Sequence, residues 1–267
     1  MDRRKVMAAA TAMAVVLGST AYAVGASSPQ GAAPDSVSSA CTARAGPTTK
    51  IGGAELFIEY NATDGDLGVH GEFDDDGWKT LCVFDPTGRP ILEVGPQGEL
   101  RDLTMAQIFF ESREPPSSEF SFAELHAAFP EGKYAVMGET FDGKTLVGSA
   151  TFTHDVPAPP AITSPEIADD PKGTKKNPVS LENLVIGWDP VGKSVDGAPV
   201  DITGYEVIVQ NPFGSLATAY DVHVLPSLTS LRVPKRFLQP DTVYELEVLA
   251  IEKGGNQTIS VGFFKTA

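Results

Sequence analysis

The sequence predicts an all-β protein made of two β-sandwich domains, of which the first contains one short helix. Three observations lead to this prediction. Short runs rich in β-branched and aromatic residues recur along the chain, turn dipeptides such as Asp142-Gly143 separate them, and a proline-rich stretch at residues 156–160 divides them into two halves. Because the chain has 267 residues, two domains of about 110 residues each follow once the N-terminal segment is set aside.

Five runs in the first half have the composition and length of strands, and they comprise residues 55–60, 80–84, 90–94, 133–137 and 146–152. One stretch favours a helix instead, because Phe122, Leu125 and Phe129 recur at helical spacing and Pro130 ends the pattern. The helix is predicted over residues 121–129.

The second half shows alternating apolar residues in several short runs and a turn that leads into a tyrosine. Leu184, Ile186 and Trp188 share one face of a predicted strand. The spacing Leu238-x-Pro240-x-Thr242-x-Tyr244 is typical of a tyrosine corner, in which the hydroxyl bonds back to the turn. With Trp188 and Ile202-Thr203-Gly204-Tyr205, this half resembles a fibronectin type III domain of seven strands. The resemblance implies a spacer or a binding surface and names no ligand.

The first half resembles the N-terminal part of uncharacterised secreted bacterial proteins that also carry a fibronectin type III module. The matching stretches are residues 59–66, 77–79, 109–115, 129–134 and 153–154. This resemblance implies an exported bacterial protein and brings no site residues with it.

The N-terminus is typical of a secretory signal peptide. Arg3, Arg4 and Lys5 precede a short apolar stretch, and Ala21-Tyr22-Ala23 fits a cleavage site. Export in the folded state through a twin-arginine route also fits this start. The predicted organisation is a signal peptide at 1–23, a flexible tether at 24–47, a β-sandwich-like domain at 48–156 and the fibronectin type III domain at 157–267. No segment of the mature chain is apolar for long enough to span a bilayer.

Charge and cysteine content narrow the class of protein further. A formal net charge of -15 argues against nucleic acid or an anionic membrane as partner. The chain has two cysteines, Cys41 and Cys82, and in an oxidising compartment such a pair is expected to form a disulfide.

Oxygen-bearing side chains are concentrated between Asn61 and Asp76, and Asp64, Asp66, Asp74 and Asp76 are candidate ligands for calcium. The spacing does not match the twelve-residue calcium loop, and Asp and Gly are also common in solvated turns. Both interpretations stay open at this point. No other cofactor is predicted.

No catalytic or cofactor-binding residue is predicted. Two stretches, residues 138–145 and 187–194, fit the phosphate-loop expression, but both are expected to lie on strands and turns rather than before a helix. His70, His126, His154 and His223 are scattered along the chain and are expected at surface or half-buried positions.

These observations favour an exported, non-catalytic protein that binds a protein or glycan of the cell envelope through a sandwich surface. A purely structural envelope component is a related hypothesis. The alternative from another class is a secreted, glycan-directed hydrolase with its catalytic carboxylates in the first domain and the fibronectin domain as a spacer. A concave cleft with two facing carboxylates of raised pKa would favour the hydrolase.

Overall fold

The computed structural model describes residue 41 and residues 46–175, 177–214 and 218–267. The fold is all-β, as predicted. Two short helices are present among these residues, α1 (Leu100–Leu103) and α2 (Phe122–Ala128). The strands are β1 (Thr48–Lys50), β2 (Gly53–Asn61), β3 (Asp66–Phe84), β4 (Pro90–Val94), β5 (Met105–Glu111), β6 (Gly132–Thr140), β7 (Thr145–Phe152), β8 (Ile162–Ser164), β9 (Val185–Trp188), β10 (Ile202–Gln210), β11 (Ala219–Val224), β12 (Ser230–Arg232), β13 (Val243–Glu252) and β14 (Gln257–Lys265).

The first half is organised around β3, which has 19 residues and pairs with different strands along its length. Its first part pairs with β2 and β5, and its second part pairs with β4 and β6. The registers shift between Asp74 and Trp78, where Gly77 has a φ of 141°. Such an irregularity lets one strand contribute to two packed layers. Trp78 lies in the core between them and is fully buried.

Helix α2 lies within the predicted stretch, with Ser121 as its N-cap and Phe129 as its C-cap. The hydroxyl of Ser121 accepts a hydrogen bond from the backbone N–H of Glu124, and the Glu124 carboxylate accepts one from the Ser121 N–H. This reciprocal pair satisfies two backbone donors that a helix N-terminus leaves unpaired. Leu125 is the buried residue by which the helix packs on the first core.

The second half is a fibronectin-like sandwich of seven strands. Three of them form the sheet β12-β9-β8, and β14-β13-β10-β11 lie side by side in the other layer. Trp188 and Tyr205 pack in the core with ring centroids 5.4 Å apart. The tyrosine corner is present, since the Gln239 N–H donates to the Tyr244 hydroxyl at 2.8 Å.

The two halves share one sheet. Strand β14 pairs in parallel with β2 through Gln257, Thr258 and Ile259, so that β1-β7-β6-β3-β2-β14-β13-β10-β11 form a continuous order. Two separate cores pack against this sheet, one built from residues 51–156 and one from residues 184–264. The Asn256 side chain reinforces the junction, because its Oδ1 accepts from the Ile58 N–H at 2.8 Å.

Several sequence-based expectations need correction or fall outside the described residues. Strand β5 and helix α1 were not predicted, and β3 begins fourteen residues before the predicted strand at 80–84.

The connector at 156–160 packs against the rest of the protein, because Val156 is fully buried and the Ala158 N–H donates to the Lys193 carbonyl. The signal peptide at 1–23 and most of the tether at 24–47 lie outside the described residues. Across the described part of the chain, no helix is long and apolar enough to cross a membrane.

The predicted disulfide joins Cys41 to Cys82 and fixes one point of the predicted tether. Both cysteines are buried, and they form a small apolar cluster with Phe84 and Met137. The bond closes a loop with a sequence separation of 41 residues. Cys41 is therefore anchored on the sheet rather than part of a free linker.

Because the bond restricts the unfolded chain, reduction is expected to lower the free energy of unfolding by about 3 kcal/mol, below the chain-entropy ceiling of about 4 kcal/mol. Urea unfolding with and without dithiothreitol measures this loss. The variant Cys41→Ser should match the reduced protein and should not respond to the reductant. Equal midpoints for the oxidised and reduced protein would contradict the prediction.

Candidate functional site

The junction of the two halves creates a groove on the face of the shared sheet that points away from both cores. Side chains alternate along its strands, so Leu56, Ile58, Leu246 and Val248 enter the cores while their neighbours point outward. The groove has a volume of about 180 Å³. Its lining contains carboxylates, two histidines and apolar side chains: Glu55, Glu72, Glu206, Glu247, His70, His223, Phe57, Phe109, Ile208, Leu249, Ile251 and Ile259.

Two neighbouring carboxylates on β13 share one amide partner on this face. The Gln210 Nε2 donates to the Oε1 atoms of Glu245 and Glu247, at 2.9 Å each. Both glutamates are nearly fully buried. Burial, and next the hydrogen bond with Glu245, raise the pKa of Glu247 to about 8. The Glu245–Glu247 pair therefore tends to hold a proton near neutral pH.

A second acidic group surrounds His70 on β3. His70 Nε2 lies 2.8 Å from Glu114 Oε1, and His70 Nδ1 lies 3.8 Å from Glu59 Oε2. Phe57 and Phe109 pack on the imidazole, with ring centroids 5.4 and 5.7 Å from it. Burial raises the pKa of Glu59 to about 7, although the nearby His70 opposes the shift. The His70 pKa is raised, because the Glu114 hydrogen bond and the charge of Glu59 outweigh its burial.

A third group lies on the opposite side of the groove, on β10 and β11. His223 Nε2 is 3.3 Å from Glu206 Oε1, and Asp221 is on the same strand as His223. Burial raises the pKa of Glu206, and the hydrogen bond to Glu206 raises the pKa of His223. In the order of strands, Glu206 on β10 lies four spacings from His70 and His223 on β11 lies five, which corresponds to about 19 and 24 Å along the sheet.

The structure does not bring the four candidate calcium ligands together. Asp66 begins β3, and Asp64 lies in the turn before it and accepts from the Asn61 side chain at 3.0 Å. Asp74 and Asp76 lie eight or more positions further along the same strand, which corresponds to about 26 Å. One ion cannot bind all four side chains. Calcium binding by either pair remains a prediction.

The expectation that each histidine lies at a surface or half-buried position is wrong for His70, which is fully buried. His126 and His154 also meet, as a stacked pair with ring centroids 3.7 Å apart. The phosphate-loop match at residues 138–145 lies across the β6–β7 hairpin, as expected, whereas the match at 187–194 leaves β9 at Trp188 and continues as a loop with isolated bridges instead of a second strand. Neither precedes a helix, so neither can direct helix N-terminal amides at a phosphate.

Sequence reasoning missed the groove residues, although one signal for them is visible. Glutamates alternate with core residues on predicted strands, as in Tyr244-Glu245-Leu246-Glu247-Val248. A carboxylate in this pattern faces away from its own core. The groove that it lines also contains side chains of the other half, which the pattern cannot reveal.

Comparisons with known proteins identify no family for the chain. No protein-family profile matches it, and no curated protein matches it. Similar solved structures include a myokine, at 21% identity and a TM-score of 0.28 over 41% of this chain and 97% of that chain. They also include the chicken CNTN1 FN1–FN3 domains, at 13% identity and a TM-score of 0.32 over 82% of this chain and 65% of that chain. The fold described above rests on the strand pairing of this chain itself.

Proposed function

We propose that this chain is an exported, non-catalytic binding protein that acts at or outside the cell envelope. Its two domains, 48–156 and 157–267, are proposed to present one ligand surface, the groove on their shared sheet. The observation that carries the proposal is the combination of carboxylates and apolar side chains in a groove that spans both halves, where Phe57, Phe109 and Ile251 are half-buried. A face that had only to remain in solvent would not need this apolar content.

The size of the groove favours a macromolecular ligand. Pockets that enclose small molecules usually measure about 300–1,000 Å³. This groove measures about 180 Å³ and is lined by residues of strands β5, β3, β2, β14, β13, β10 and β11. It therefore suits a side chain or a sugar unit that projects from a larger partner, such as a protein or glycan of the envelope.

The chemistry of the lining predicts a ligand that is cationic as well as partly apolar. Glu55 and Glu72 face the groove together with Phe57 and Phe109. The formal net charge of -15 attracts a cationic partner over a longer range. An amino group next to an apolar surface would satisfy both parts of the lining.

The proposal is tested by cosedimentation of the purified chain with envelope and polysaccharide fractions of the producing cell. We expect retention by the wild-type chain and at least a tenfold loss in the double variant Glu55→Lys/Glu72→Lys. The matched control is Glu93→Lys/Glu99→Lys, which makes the same charge change at exposed positions outside the groove. An equal loss of retention in both double variants would show that retention depends on the overall charge of the protein. If the wild-type chain is not retained, the proposal of envelope binding is contradicted.

One observation favours the alternative, a glycan-directed hydrolase. Glu55 and Glu72 are direct cross-strand neighbours in the first half, and burial, then the charge of Glu72, raise the pKa of Glu55. Two carboxylates of this kind are what acid-assisted glycoside cleavage requires. The release of reducing ends from envelope polysaccharide measures this activity. Release that is lost in Glu55→Gln and Glu72→Gln would replace the binding proposal with the hydrolase.

A further inference from the structure

Three side chains from different parts of the first half converge beside the groove. Glu59 lies on β2, His70 on β3 and Glu114 in the segment after β5. One ligand atom from each, a carboxylate oxygen or an imidazole nitrogen, lies within 4.8 Å of the other two. We propose that Glu59, His70 and Glu114 form a binding site for a divalent transition-metal ion of the Zn²⁺ class. This site goes beyond the binding role proposed above and does not depend on it.

The distances suit a shared ion. Two ligands of a tetrahedral zinc ion with bonds of about 2.0–2.1 Å lie about 3.3 Å apart. The measured separations are 2.8 Å from His70 Nε2 to Glu114 Oε1 and 3.8 Å from His70 Nδ1 to Glu59 Oε2. One ion binds only one of the two ring nitrogens. With the ion at Nδ1, Glu59 Oε2 lies close to the expected separation, and the Glu114 carboxylate has to rotate away from Nε2 to reach the ion.

An unpartnered polar atom points independently to a ligand. His70 is fully buried, and its Nδ1 has no hydrogen-bond partner among the described residues. The nearest carboxylate oxygen, Glu59 Oε2, is too distant for a hydrogen bond. A buried ring nitrogen without a partner is costly, and a bound ion would remove this cost.

The charge of the site matches a divalent cation. Two carboxylates and a neutral imidazole carry a charge of -2 when both acids are ionised, and Glu59 is nearly fully buried. A bound divalent ion would neutralise this buried charge.

The ligand set favours a transition metal over calcium. Calcium binds oxygen ligands almost exclusively, whereas imidazole nitrogen suits zinc and its neighbours. Phe57 and Phe109 pack on the His70 ring and provide an apolar surrounding, and the Gln257 amide donates to Glu59 Oε2. The Glu114 side chain is 21% exposed, which gives an ion a path from solvent.

The test is isothermal titration of the purified, EDTA-treated chain with Zn²⁺ at pH 7.5. We expect one equivalent bound with micromolar or tighter affinity. Glu59→Gln and Glu114→Gln should each weaken this binding at least thirtyfold. Because Glu114 is half-buried, its variant is expected to stay folded, and circular dichroism checks this.

Two control variants keep the proposal falsifiable. Glu72→Gln changes a groove carboxylate outside the site, and His223→Gln removes the imidazole of the Glu206–Asp221–His223 group on the other side of the groove. Both should bind Zn²⁺ as the wild type does. The proposal is overturned by absence of Zn²⁺ binding, by wild-type affinity in Glu59→Gln and Glu114→Gln, by loss of binding in His223→Gln, or by a preference for Ca²⁺.

Discussion

The protein is expected to be considerably less stable at pH 9 than at pH 5, and Glu247 should contribute the largest share of this loss. Burial, together with the hydrogen bond to Glu245, raises the pKa of Glu247 to about 8 in the folded protein. In the unfolded chain the pKa of a glutamate lies near 4.3. The raised pKa of Glu247 therefore stabilises the folded state fully below about pH 4.3. This stabilisation is lost as the pH rises from there through about 8.

Ionisation of Glu247 is expected to lower the free energy of unfolding by about 3 kcal/mol. Each pKa unit corresponds to about 1.4 kcal/mol, and part of the shift belongs to the proton that Glu247 shares with Glu245. Glu59, with a pKa of about 7, and Glu206, with a raised pKa, contribute in the same direction. His126 contributes in the opposite direction, because its lowered pKa disfavours the folded state at acidic pH.

The variant Glu247→Gln separates this contribution from the others, because glutamine is neutral at every pH and keeps a hydrogen-bonding group beside Glu245. Urea unfolding in the presence of EDTA should give equal stability for the variant and the wild type at pH 4. At pH 9 the variant should be more stable by about 3 kcal/mol. Glu93→Gln, at an exposed position on β4, is the control and should leave the pH profile unchanged. Parallel profiles for wild type and Glu247→Gln would show that the buried carboxylate does not cause the effect.

The local part of this fold could be predicted from the sequence, because local chemistry determines it. Strand β4 has the predicted bounds, helix α2 lies within the predicted stretch, and the Tyr244 hydroxyl binds the turn at Gln239. Each of these features depends on residues within a few positions of one another, such as a capping serine or a proline that ends a helix.

The shared sheet could not be predicted, because it depends on residues that are far apart in the sequence. The Gln257 to Glu59 register joins positions 198 residues apart, and no local pattern encodes such a pairing. The site around His70 could not be predicted for the same reason, because its residues are also far apart in the sequence. Gly and Asp around residues 64–77 indicate turns, whereas the structure has most of this segment in β3. Strands β2 and β5 lie on either side of this part of β3 and bury it. Strand β2 supplies Glu59, and the segment that follows β5 supplies Glu114.

Asn256→Ala is expected to destabilise the protein by about 4 kcal/mol and to separate the unfolding of the two cores. Asn256 is 1% exposed. Its Oδ1 accepts from the Ile58 N–H at 2.8 Å, and its Nδ2 donates to the Thr153 carbonyl at 3.2 Å and to the Thr153 hydroxyl at 2.8 Å. Alanine leaves the Ile58 N–H and the Thr153 carbonyl without these partners, at about 1–3 kcal/mol for each buried group.

The two tryptophans allow each core to be followed by fluorescence, because Trp78 lies in the first core and Trp188 in the second. Trp188→Phe therefore reports on the first core, and Trp78→Phe on the second. With Asn256 present, the urea transitions of the two single-tryptophan proteins should coincide, since the shared sheet couples the halves. With Asn256→Ala added, they should separate.

Asn177→Ala is the matched control, because Asn177 is exposed and its side chain bonds only to Glu166 across the described residues. It should cost less than 1 kcal/mol and leave the two transitions together. A comparably small loss for Asn256→Ala, with coincident transitions, would show that backbone pairing between β2 and β14 holds the halves without the Asn256 side chain. Separation in Asn256→Ala alone would instead identify this single amide as the group on which the continuity of the groove depends, since the groove exists only while both halves remain in one sheet.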